Sequence, residues 1–72
     1  MTQFKHDEQL SREQAAERLV DVAYALTAGG TLELIADGVR VGVPVSDAVL
    51  LRRESRTDGD RVQVELVLSW SA

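Results

Sequence analysis

At Gly29-Gly30 the apolar pattern changes period, and this change constrains the fold more than any other feature of the chain. Before the glycines, apolar residues recur at Ala15, Leu19, Val22 and Leu26, flanked by Ala16 and Ala23, which is the spacing of one helical face. After them the spacing falls to two. Leu32 and Leu34, then Val39, Val41, Val43 and Val45, then Val62, Val64, Leu66, Leu68 and Trp70 alternate with mostly polar residues. One amphipathic helix therefore precedes a series of one-faced strands.

The helix has its own start and stop signals. Ser11 followed by Gln14 matches a capping box, and Leu10 with Ala15 occupies the two positions of a hydrophobic staple around it. Glu13 and Glu17 lie near the positive end of the helix dipole, where acids are favoured. Gly29 and Gly30 supply a left-handed C-cap. The spacing predicts a helix over roughly 11–28.

Two hairpins follow. Asp37-Gly38 stands between alternating runs, a strong hairpin signal because both turn positions of that turn type take positive φ. Pro44 lacks an amide donor and should end the pairing or lie at an edge. The design then repeats, with a run from about Ala48 to Arg56, a turn at Asp58-Gly59 and a run from Arg61 to Trp70. In the opening stretch, residues 2–10, Phe4 and His6 suit the inward side of a short strand, although an extended arm would look the same. The expected order is β-α-β-β-β-β over a single domain, residues 1–72. That is an α+β, two-layer fold with one helix packed on a mostly antiparallel sheet of four to five strands.

These residues together resemble the amphi-Trp domain family, named for an amphipathic C-terminal strand that ends in tryptophan. The matching parts are Phe4, the helix start "LSREQAAERL", the Gly29-Gly30 helix end, "VRVGVPV" and the closing "VQVELVLSW". The resemblance implies the fold just described and implies no catalytic residue.

Composition limits how such a fold is held together. Seventy-two residues give a small core, since a chain of this size buries only about 60% of the surface its unfolded form exposes. With no cysteine and a single histidine, His6, disulfides are excluded and a zinc site is not expected. Packing of helix on sheet and self-association remain. The 44% hydrophobic and 28% charged content is that of an ordinary globular domain, no apolar run is long enough to span a membrane, and the opening lacks the pattern of a secretory signal, so a cytoplasmic location is expected. Net charge is −4, divided evenly between residues 1–30 and 31–72, which weighs against grip on a nucleic-acid backbone.

No set of residues points to catalysis. His6 and Asp7, neighbours in an extended segment, point to opposite faces, and an active site needs a nucleophile or second acid held in a cleft. The glycines do not compose a phosphate loop, and "TDGD" is too short to wrap a calcium ion. No enzymatic activity, cofactor or metal is expected. If the alternating apolar residues face the helix, the outer sheet face holds Glu33, Arg40, Arg61, Gln63 and Glu65, joined by Arg52 and Glu54 if Leu51 points inward. Ile35, Val67 and Leu50, one of the Leu50/Leu51 pair, break the alternation on that polar side and form the candidate interface for a homodimer or another protein. Arg40, Arg52, Arg53, Arg56 and Arg61 are the candidate contacts of an alternative function, binding of nucleic acid or another polyanion, although the sheet lacks aromatics for stacking. Val20 and Tyr24, four apart on the helix, either line the edge of the core or form a second contact surface. Trp70 is read as the structural anchor that closes the core beneath the helix, with its indole N–H at the rim; an aromatic of its size buries about 150–250 Å².

Overall fold

A computed structural model describes residues 3–72 as an α+β chain with one helix and four strands. Helix α1 spans Arg12–Ala28 behind the expected cap. The Gln14 amide donates to Ser11 Oγ at 3.1 Å, and the Ser11 amide donates to Gln14 Oε1 at 3.0 Å, so both halves of the capping box are made. Gly29 ends the helix at φ 105°, a left-handed conformation that glycine adopts without steric cost.

Strands β1 (Thr31–Ala36) and β2 (Val39–Pro44) form the first antiparallel hairpin, with Ala36 opposite Val39 and Thr31 opposite Pro44. Asp37 (φ 52°) and Gly38 (φ 77°) both take positive φ at the turn, as the Asp-Gly pair predicted. Pro44 closes β2 at the edge of a two-stranded sheet, where its missing donor is tolerated. Strands β3 (Leu50–Asp58) and β4 (Arg61–Ser69) form the second hairpin, with Leu51 opposite Leu68. Its turn lies one residue later than expected. Asp58 pairs with Arg61, and Gly59 (φ 63°) takes the first loop position, which is where the type II′ hairpin turn places glycine.

The layout departs from the sequence expectation in three places. Residues 3–10 form neither strand nor helix; Thr2, at the start of the predicted strand, lies outside the described residues. A strand there would need backbone hydrogen bonds to a neighbouring strand, and residues 3–10 make none to the free edge of β1. The four strands form two separate two-stranded sheets, β1-β2 and β3-β4, with no ladder between them. Helix α1 packs only on β1, so the alternating residues of β4 are not beneath it. At 1.5 Å per residue the helix is roughly 25 Å long, and neither β3 nor β4 touches it.

The inner positions of this packing are modest. Val22, Ala25 and Leu26 of the helix and Leu32, Leu34, Ala36, Val41 and Val43 of the first hairpin are all half-buried, and the helix approaches that hairpin through β1. Among the described residues none is fully buried. The second hairpin stands away from this layer. Its root is fastened by two hydrogen bonds, from the Trp70 indole Nε1 to the Pro44 carbonyl at 2.9 Å and from Ser46 Oγ to the Ser71 carbonyl at 2.6 Å.

Candidate interaction surface

Strand register sorts the second hairpin into two faces. Leu51, Arg53, Ser55 and Thr57 share one face with Val62, Val64, Leu66 and Leu68. Leu51, Val62, Val64 and Leu66 are each 50–70% exposed. Alternation assigned Val62, Val64 and Leu66 to the core, with Leu51 joining them if it pointed inward, and among the described residues no layer covers them. An isolated two-stranded hairpin is marginally stable in water at best, so a bare apolar face on one marks a surface that needs a cover.

The opposite face holds Leu50, Arg52, Glu54, Arg56 and Asp58 of β3 with Arg61, Gln63, Glu65, Val67 and Ser69 of β4. Glu54 stands directly across from Glu65, a repulsive pairing. Gln63 Nε2 donates to Glu65 Oε1 at 2.8 Å and eases it. Leu50 and Val67 are exposed on this face as expected, and Ile35 is exposed on the outer face of the first hairpin, across from Arg40. These three apolar residues are divided between two hairpins and do not make one patch. The larger apolar surface lies on the other side of β3-β4. Sequence reasoning missed it because period-two alternation identifies an apolar face without saying what covers it.

The five candidate arginines are also divided. Arg40 lies 3.9 Å from Glu33 on the first hairpin. Arg52, Arg56 and Arg61 alternate with acids on the outer face of the second, and Arg53 is on its apolar face. They offer no continuous basic track of the kind that follows a polyphosphate chain.

On the helix, Leu19, Val20 and Tyr24 are 54–74% exposed. Val20 and Tyr24 thus belong to an open flank and not to the edge of the core. Leu19, expected in the buried stripe, is exposed as well; the half-buried residues of the helix are Val22, Ala25 and Leu26, all nearer its C-terminal end.

A second feature lies between residues 4–8, the helix and β1: an open groove of about 880 Å³ reached by Phe4, His6, Arg18, Asp21 and Tyr24. His6 Nε2 is 3.5 Å from Glu8 and His6 Nδ1 is 3.8 Å from Asp37, contacts that are ion pairs when the imidazole is protonated. Arg18 Nε donates to Glu8 Oε2 at 3.3 Å. These distances exceed those of tight charge-assisted hydrogen bonds. Their geometry fastens the N-terminal segment to the helix and to the first turn, with Phe4 half-buried beneath it. Among the described residues, no three His, Asp or Glu side chains converge as a metal site, and no helix is long and apolar enough to cross a membrane.

Trp70 is half-buried beside Ala48, Val49 and Leu50 at the root of the second hairpin. It does not lie beneath the helix as expected, since the β4 end is turned toward Pro44. What the indole joins is the end of β4 to the end of β2. Comparison with family models, with curated proteins and with solved structures yields no match to this chain.

Proposed function

We propose that this chain is a non-enzymatic protein–protein interaction module, akin to the amphi-Trp domains, that works by associating with itself in a cytoplasmic setting. One observation supports the reading above the others. With none of the described residues fully buried, the chain exposes the apolar face of a two-stranded hairpin over which no described residue forms a second layer. Association would supply that layer. In the associated state the helix and the antiparallel strands would form the two-layer body that the sequence pattern predicts. Binding of nucleic acid has no comparable support, given the division of Arg40, Arg52, Arg53, Arg56 and Arg61 among three surfaces.

Light scattering at micromolar concentration tests the reading. The expected mass is twice the 7.9 kDa of the chain. A well-folded particle of 7.9 kDa would end it.

A further inference from the structure

We propose that two copies of this chain dock reciprocally, each laying the apolar face of its β3-β4 hairpin across the open helix flank of the other. This pairing presupposes the self-association proposed above and names the surfaces that make it.

The first argument is area. A folded monomeric protein of this mass exposes roughly 4,400 Å² by the usual scaling of surface with mass. The chain exposes 6592 Å². The excess, roughly 2,200 Å² per copy, becomes about 4,400 Å² for a pair, which falls in the range of obligate homodimers. The chain is also expanded: its radius of gyration is 13.8 Å, against about 11 Å for a compact domain of this length.

The second argument is that the chain cannot readily cover its own hairpin. The indole-to-Pro44 and Ser46-to-Ser71 hydrogen bonds hold the hairpin root at the end of β2, away from the helix. Folding the hairpin back onto α1 would break both. A second copy can reach the same surfaces with the root intact.

Third, the two surfaces match in length and charge. Nine-residue strands extend about 30 Å, close to the roughly 25 Å of the helix. On the helix, Glu17, Val20 and Tyr24 follow one another at spacings of three and four, so a carboxylate lies in line with the exposed apolar pair. On the hairpin, Arg53 is the one charged residue among the strand positions of the apolar face, between Leu51 and Ser55 and across from Leu66. Among the described residues Arg53 makes no ion pair. Docking of hairpin on helix sets Arg53 against Glu17 of the other copy. Stacking the two hairpins on each other would instead bring both Arg53 side chains into one apolar layer and leave Val20 and Tyr24 bare. A two-fold axis makes the helix–hairpin contact twice, closing the assembly at two copies.

The chain has no cysteine, so introduced thiols can be placed singly. Val20→Cys and Val64→Cys chains with different tags, refolded together and treated with a short thiol cross-linker, should give the mixed product in several-fold excess over either self-linked product. An Ile35→Cys chain, whose residue lies on the outer face of the first hairpin, should not link to Val64→Cys. In a separate measurement, Arg53→Glu should raise the dimer dissociation constant about ten-fold or more, and Glu17→Arg added to it should restore pairing. A dimer linked mainly as Val64→Cys to itself, or through Ile35→Cys, overturns the proposed surfaces and leaves self-association standing. A folded monomer overturns both. Failure of the charge reversal to rescue Arg53→Glu in an intact dimer removes the Arg53–Glu17 contact and the orientation built on it.

Discussion

The Trp70 indole fastens two parts of the chain that share no strand ladder. Its Nε1–H donates to the Pro44 carbonyl at 2.9 Å, and the neighbouring Ser71 carbonyl accepts from Ser46. The sequence suggested an anchor closing the core beneath the helix, because a large amphipathic ring at a strand end has both apolar area to bury and a donor to satisfy; the ring lies instead at the root of the second hairpin. Its partner was not legible. The Pro44 carbonyl becomes available only because β2 ends there, and that proximity depends on where the second hairpin is rooted. Trp70→Phe keeps most of the ring and deletes the donor, so the expected cost is about 0.5–1.5 kcal/mol. For a domain of this size that is a fall of roughly 2–12 °C in thermal midpoint at fixed protein concentration. An unchanged midpoint would show that the indole hydrogen bond contributes nothing to the hold on the hairpin.

At the level of elements, the helix and both hairpins were legible because local rules fix them: a cap with its reciprocal hydrogen bonds, a left-handed glycine, and Asp-Gly turns. The second turn fell one residue late because Gly59 serves equally as the second position of one turn type or the first position of another, and the strands decide between them. Pairing Asp58 with Arg61 gives two strands of nine residues each and sets unlike charges across the mouth of the turn. The first hairpin offers a matched pair of glycine substitutions. Gly38 holds φ 77°, and alanine there should cost about 1–2 kcal/mol even though nothing would touch its new methyl group. Gly42 has ordinary strand backbone, and an added Cβ would meet only the Thr31 methyl at 3.6 Å. Gly42→Ala should therefore be neutral or stabilise by about 0.4–1 kcal/mol, through lower entropy of the unfolded chain. Chemical denaturation of both variants checks the sign; equal effects would mean that the turn does not set the register.

For the whole molecule, the sequence shows apolar faces but not which of them meet. The helix stripe and the β4 stripe have the right residues to face each other, and within one chain they do not, because α1 is occupied by the first hairpin and the second is tied at Pro44. A thin core was legible from length alone; that none of the described residues is fully buried was not. If folding is completed only between two copies, then stability is inseparable from concentration. A ten-fold rise in protein concentration favours a dimer by about 1.4 kcal/mol. With an unfolding entropy of about 2 cal/mol/K per residue over both chains, the thermal midpoint should rise by about 4–5 °C per decade of concentration. A single chain that folds alone shows no such shift. Circular dichroism melts across two decades of concentration, at one pH and salt, separate these outcomes. Added salt should leave the slope in place, because the contact is mostly apolar and only Arg53 and Glu17 would feel the screening.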